Sequence, residues 1–386
     1  MNIYFNIAYP LYYFNLCILI VVLSSCEINQ IETKNDKGQV VDSISEWMQI
    51  AKNNEIDDQK RIEFLRKSNN QLILRKNDSS KIKRLLRIAD IYYELGEYSL
   101  FLETNENILE LAQKINSREA IAEYHWNKGN LFSDKEVLDS AFYEYNIAHD
   151  IYDSLNHEYY KAKMAYNMSY IHFRISNYIE SEILVISAIE GYKKLNKNFN
   201  LFLCYNRLLL LDKEVGSFET ALDHYSNAVK FLQKSEKTGI HKERLLNNLS
   251  LVYQKQQKYE EAIEALDKAL LNTTLATEHT DLYAKLIDNR AYCKFLMGEE
   301  QGVEDDFKRA LEIRDSLGNE AGVGISKMHL AEYYLKAGDS LNAFESAQEA
   351  YDLAKKLGLN RDILSSLVLL SQTDKLHATA YMNSYI

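Results

Sequence analysis

The chain has 386 residues, of which 28 are Tyr and 14 Phe but only 13 Gly and one Pro. So few breakers exclude a turn-rich sandwich or barrel, and the sole proline, Pro10, leaves everything after it free to be helical. Asp and Glu outnumber Lys and Arg by 56 to 45, and the resulting formal charge of −11 argues against a general nucleic-acid binder, which needs a basic footprint.

Residues 1–26 stand apart. No Asp, Glu, Lys or Arg precedes Glu27, and 16–23 (LCILIVVL) is almost wholly apolar. The stretch ends in Leu23, Ser24, Ser25 and Cys26, after which the chain turns abruptly polar. This resembles the bacterial lipoprotein signal: an apolar h-region, then a large aliphatic, two small residues and Cys. The resemblance implies cleavage before Cys26, lipidation of its thiol, and membrane anchoring in the bacterial cell envelope, periplasmic or at the cell surface. The n-region departs from the pattern, offering only the terminal amine where Lys or Arg is usual. An uncleaved anchor helix over 3–23 is the other reading, because that stretch is nearly long enough to span a bilayer. Residues 27–45 read as a polar tether with no apolar period. Residues 46–386 form the folded body.

That body repeats. A small-residue column falls at Ala141, Ser181, Ala221, Ala262, Val303 and Ala343, with steps of 40, 40, 41, 41 and 40 residues. A second small column follows at Ala148, Ala188, Ala228, Ala269, Ala310 and Ala350, and between them runs a bulky one at Tyr145, Val185, Tyr225, Leu266, Phe307 and the smaller Ala347. Each unit reads as a helical hairpin. In 161–175, Met164, Met168, Ile171 and Ile175 recur at helical spacing, and 178–195 carries Ile179, Ile183, Ile186 and Ile189 in the same way. Ser176 and Asn177 make the break between them. Turn residues keep the register too, at Gly96, Gly216, Gly298 and Gly338 within hairpins and at Asn116, Asn156, Asn196, Gly318 and Gly358 between them. Self-similarity of this kind is the mark of an α-solenoid.

The segments 245–270 and 326–358 resemble tetratricopeptide repeats in their small, aromatic, Gly, Tyr, Ala, bulky, Ala order. The period is 40–41 instead of about 34, and the closing Pro is missing throughout. The resemblance implies an all-α, right-handed superhelix of seven to eight hairpins. Seven clear units begin near Lys81, Glu119, Lys161, Leu201, Glu243, Ala284 and Gly324, and a weaker one spans 44–74, where Ser68 continues the second small column.

Polar residues that repeat without a packing reason are the candidate site. Asn127, Asn167, Asn248 and Asn289 share one column of the first helices, and Lys163, Arg244 and Lys285 precede three of them by four residues. Residues four apart share a helix face. Trp126, Tyr166, Tyr170, Phe173, Tyr292 and Phe295 lie on or beside the stripe, which is interrupted by Glu123 and by Leu203 with Arg207. The resemblance implies that this face lines a concave groove, where Asn meets peptide backbone and a cation pairs a carboxylate. The other reading makes the Asn column a set of struts between neighbouring helices and the cations merely solvated.

Other constellations are absent from the sequence. The nine His are scattered, with His172 read as a core residue, and no Cys/His spacing points to a metal. Cys204 and Cys293 lie about two repeats apart, which argues against a disulfide. No phosphate loop, nucleophile elbow or paired-carboxylate cleft occurs, so neither a cofactor nor catalysis is expected. The last unit, from 363 onward, ends on Tyr385 and Ile386 without a polar cap. In this the chain resembles the N-terminal repeat arrays of Bacteroidetes-type regulators, which continue into a coiled coil, membrane helix and output domain. Two functions stay open: a lipid-anchored adaptor that binds protein or peptide, and the ligand-sensing portion of a longer regulator.

Overall fold

A computed structural model describes residues 33–34, 40–41 and 43–384 except 238. The leader, with Cys26, lies outside the described residues. Within the tether two short strands, β1 (Thr33–Lys34) and β2 (Val40–Val41), pair antiparallel with Thr33 opposite Val41. Everything after 42 that is regular is helical, and the chain divides into two compact units at Ala120 and Ile121.

In the first unit, α1 (Ser43–Ala51) pairs with α2 (Asp58–Ile73), and α3 (Ser79–Glu94) with α4 (Tyr98–Lys114). Asp57 and Asp78 cap α2 and α3 by accepting backbone N–H bonds, from Gln59 and Lys60 and from Lys81 respectively. Arg61 is buried and donates from Nε to the carbonyl of Ala51 at 2.8 Å, satisfying the end of α1.

The second unit continues the pattern. Its helices are α5 (Arg118–Asp134), α6 (Leu138–Ser154), α7 (Glu158–Arg174), α8 (Tyr178–Lys194), α9 (Asn198–Val215) and α10 (Phe218–Gln233). Then follow α11 (His241–Lys255), α12 (Tyr259–Leu270), the short α13 (Leu275–Glu278), α14 (Thr280–Met297) and α15 (Val303–Ser316). The series closes with α16 (Glu320–Ala337), α17 (Ser340–Leu357), α18 (Asn360–Thr373) and α19 (Ala378–Asn383). Within each unit successive helices pack as pairs in the all-α manner of a solenoid, giving among the described residues two hairpins in the first unit and six in the second with a short further one, α18–α19.

The three columns are the packing face of the second helices. Ala141, Ser181, Ala221, Ala262, Val303 and Ala343 are all at 0% exposure, and Tyr145, Val185, Leu266, Phe307 and Ala347 are buried between the two small columns. The one polar member is satisfied: Ser181 Oγ donates to the Ser169 carbonyl at 2.7 Å. Helices come so close that a Cβ at Gly129 would lie 2.6 Å from the Tyr145 ring.

The α7–α8 hairpin corrects one expectation. Met164, Met168 and Ile171 are buried, but Ile175 is exposed, and of the four isoleucines of α8 only Ile189 is buried. Ile179, Ile183 and Ile186 face solvent, because Ser181, Val185, Ala188 and Tyr192 already occupy the inward face.

Turns obey the same register. Residues 96, 136, 176, 216, 257, 298 and 338 all have positive φ, as do 116, 156, 196, 318 and 358 between hairpins. In each turn the next N–H reaches back five residues, as Asn177 does to the His172 carbonyl at 2.8 Å, so the last carbonyls of the helix are satisfied. Six of these positions hold left-handed residues that carry a Cβ: Asn116, Asn156 and Asn196, a residue type that tolerates the conformation, and Glu136, Ser176 and Gln257, which do not share that tolerance. Each of the latter three bears a cost of roughly 1–2 kcal/mol that Gly would not. Ser176→Gly and Gln257→Gly are therefore expected to raise the free energy of unfolding in urea, each by about 1 kcal/mol. Gly216→Ala, at φ 81, should lower it by a similar amount. Equilibrium unfolding of the three variants checks both signs.

Candidate binding groove on the first helices

The repeat places the Asn column on the first helices α5, α7, α11 and α14, with Arg207 of α9 standing in the gap between Asn167 and Asn248. Its two later members are tied to the neighbouring hairpin. Asn248 Nδ2 donates to Asn206 Oδ1 at 2.9 Å, and Asn289 Nδ2 donates to Asn247 Oδ1 at 2.8 Å. Amide-to-amide bonds 42 residues apart act as struts that set repeat against repeat. Asn127 is buried and Asn167 half-buried.

The cations differ among themselves. Lys163 Nζ lies 4.0 Å from the centre of the Trp126 ring, which in turn packs 5.9 Å from Tyr160. Lys285 pairs with Asp281 on its own helix at 2.7 Å, and Asp281 also accepts from Asn319 of the next hairpin at 2.7 Å. Arg244 is exposed. Its charge adds to the burial that lowers the pKa of His241.

Apart from Trp126, the aromatic residues of the stripe gather in two places. Around Arg207, at the position where the Asn column skips a unit, the rings of Tyr166, Tyr170 and Phe173 lie 5.4, 4.9 and 5.5 Å from the guanidinium carbon. The Nε of Arg207 is buried and has no hydrogen-bond partner. Tyr170 OH accepts from Arg174 at 2.9 Å, and Arg174 pairs with Glu136 one hairpin back at 2.7 Å. Arg207 interrupts the pattern in the sequence, and the cage that makes it notable is built from the preceding repeat, so no local signal reveals it.

The second place lies toward the end of the unit. Tyr292 stacks on His329 with centroids 4.2 Å apart and donates from its hydroxyl to Glu332 at 2.8 Å. Burial, reinforced by the Glu332 charge, pushes the Tyr292 hydroxyl upward. Beside it α14, α16 and α18 enclose a cleft of about 630 Å³, with Phe295, Met328, Leu335, Leu364 and Val368 as its apolar walls. Lys336 covers one edge, 4.8 Å from the Phe295 ring centre and donating to the Phe295 carbonyl at 3.2 Å. Cleft and cage are both built from first helices alone.

Behind the cleft sits a buried ion cluster. Asp288 is fully buried, with Arg314 Nη1 at 3.0 Å and His329 Nδ1 at 3.1 Å from its carboxylate. Arg314 also donates to Ser326 Oγ at 2.6 Å and to the Gly322 carbonyl at 3.2 Å. Burial works to raise the Asp288 carboxyl, but His329 and Arg314 overcome it and hold the group below the ordinary Asp value. Its stabilising contribution is present above the ordinary Asp pKa and fades as pH falls through the lowered one.

The remaining residues singled out in sequence have structural surroundings. His172 meets Phe142 edge-on at 5.1 Å. Cys204 and Cys293 are free and buried, and burial pushes both thiols up, that of Cys293 to about 11. Among the described residues, no cluster of His, Cys, Asp and Glu could hold a metal ion, and no helix is long and apolar enough to cross a membrane.

Hairpins of two helices, left-handed turns in register and a groove made by first helices define a tetratricopeptide-like α-solenoid. Residues 242–316, covering α11 to α15, match the tetratricopeptide repeat family. No protein of curated function matches the chain in sequence. Among solved structures the chain is similar to a Rap protein complexed with competence and sporulation factor, at 14% identity and a TM-score of 0.64 over 89% of this chain and 95% of that one. It is similar to NprR in complex with its cognate peptide NprX, at 13% identity and 0.62 over 89% and 97%. Aspartyl phosphate phosphatase F from Bacillus subtilis follows at 17% identity and 0.59 over 89% and 92%. At such identities the likeness is one of fold.

Removing a strut leaves its partner amide unsatisfied, at a cost of about 1 kcal/mol for a half-buried pair. Asn289→Ala is accordingly expected to lower stability by that amount with no ligand present. Urea unfolding of the wild type and variant measures it.

Proposed function

We propose that the protein is a lipid-anchored scaffold of the bacterial envelope that binds a protein or peptide along its first-helix groove and performs no catalysis. The observation that carries the reading is the groove itself. An apolar cleft and an aromatic-framed arginine with an unused Nε lie on one face of a fold shared with proteins solved in complex with peptides. Apolar walls supply affinity and a cation supplies orientation toward a carboxylate. Helical-repeat solenoids ordinarily act through such surfaces, and the phosphatase name belongs to a neighbour of similar fold. Lys163, Arg244 and Lys285 frame the groove electrostatically, and Arg207 joins them. Replacing Lys163, Arg244 and Lys285 together by Ala is expected to weaken capture of the partner about tenfold, the equivalent of 1.4 kcal/mol. Quantitative affinity purification compares variant with wild type, and an unchanged partner set removes the stripe from the binding surface.

The anchoring half of the reading rests on the leader, whose Leu-Ser-Ser-Cys end at 23–26 follows an apolar run. Metabolic labelling with a lipid precursor is expected to mark the wild type and not Cys26→Ala. An unlabelled wild type of unchanged mass overturns it.

A second reading is favoured by two further proteins of similar fold, the Rap conjugation gene regulator of the plasmid pLS20 and the quorum sensor NprR. In it the same groove is the ligand-sensing portion of a signalling protein. A reading frame that continues past codon 386 into an output domain supports this version over the free-standing scaffold.

A further inference from the structure

The repeat supplies its own control for what a solvent-facing column of a second helix carries. Two residues before the small column, two after it and five after it stand Glu219, Asp223 and Ser226 in α10 and Glu260, Glu264 and Asp267 in α12. All six are exposed. In α8 the same three columns hold Ile179, Ile183 and Ile186, which are 70%, 59% and 45% exposed. Nothing in the helix asks for them. Isoleucine is a poorer helix former than glutamate, and its exposure to water is unfavourable. Their spacing of four and three residues makes one continuous ridge. Tyr143, 65% exposed in α6, extends the patch one repeat back in the middle column.

The surroundings indicate what covers this ridge. Glu180, Glu182 and Glu190 flank it on α8, and Asp139, Glu219 and Asp223 stand at the matching level of α6 and α10. The cations of α8, Lys193 and Lys194, lie two turns beyond Ile186, and Lys194 is paired with Glu158 at 3.0 Å. A second copy of the chain would set acid against acid, and an anionic bilayer would be repelled. The geometry points to a docking surface on the outer face of α8, separate from the first-helix groove, for a partner protein presenting an amphipathic helix with a basic flank. Its apolar residues at i, i+3 or i+4 and i+7 interlock with the isoleucine ridge, and its Lys or Arg residues meet the acidic rim.

The test uses the full chain and two synthetic probes of about five helical turns. Both carry the same leucine face, one with lysines and the other with glutamates on the remaining positions. Fluorescence anisotropy should show the basic peptide binding at least about tenfold tighter than the acidic one, with loss of that binding in the Ile179→Gln, Ile183→Gln, Ile186→Gln variant. The variant should melt with the wild type, because α10 and α12 carry polar residues in these columns. Glu180→Lys with Glu182→Lys, which leaves the ridge intact, should shift preference toward the acidic peptide. Equal binding of both peptides, or undiminished binding by the isoleucine variant, overturns the proposal. So does a wild type that sediments as a dimer and becomes monomeric on loss of the ridge, for then the occupant is a second copy.

Discussion

Close helix approach across columns of Ala, Ser and Val is the constraint on which the rest depends. Six residues 40 or 41 positions apart are at 0% exposure, so the helices meet closely where small side chains stand. Once those contacts are fixed, each hairpin must return to the same place, so turns are held to single left-handed residues with a repeated hydrogen-bond pattern. Where the step lengthens to 41, the helices keep their registration. The surplus appears in the connections 234–240 and 271–279, where Ile240 and Leu275 fold back into the core. The columns tolerate no slip, and the loops absorb it.

That rigidity decides what polar residues can do. Between neighbouring first helices an amide is held at hydrogen-bond distance from the amide of the next repeat, as in Asn248 with Asn206 and Asn289 with Asn247. An arginine in the same column reaches further and lies among the rings of the preceding hairpin. A strut and a cage are thus alternative fillings of one repeated position. The buried Asp288–Arg314 pair belongs to the same scheme. It costs desolvation, and by satisfying Gly322 and Ser326 as well it links three successive helices in one arrangement.

Legibility follows from range. Columns of small residues record contacts that recur in every repeat, so the sequence displays them six times over. Glycines and asparagines at turns are equally plain, whereas Glu136 and Gln257 adopt the left-handed conformation because their neighbours force it. The isoleucines of α8 mislead because helical spacing identifies a face without saying which way it points. Only the small-residue register, which assigns Ser181, Val185 and Ala188 to the inside, turns that face outward. The Arg207 cage depends on which rings of the preceding hairpin lie opposite, and no periodicity encodes that. The Asn column admits struts as one of its two readings, and the amide bonds of Asn248 and Asn289 select it there.

Curvature within the second unit has its own chemical signature. The turn that opens α18 meets the turn between α7 and α8, and together they line a cavity of about 370 Å³ with Arg174, Ser176, Arg361 and Asp362 on its walls. Arg361 reaches Glu214 at the end of α9 at 3.2 Å, and Lys213 holds the same carboxylate at 2.6 Å. Burial opposes the charge on Glu214, but Lys213 and Arg361 hold its carboxyl below the ordinary value. Helices four hairpins apart in sequence thus share one ion cluster, with Glu214 and Lys213 shielded and Arg361 exposed. A solenoid whose repeats contacted only their neighbours would leave its pitch to the sum of small rotations. Here the pitch is also pinned by a contact across the turn of the superhelix.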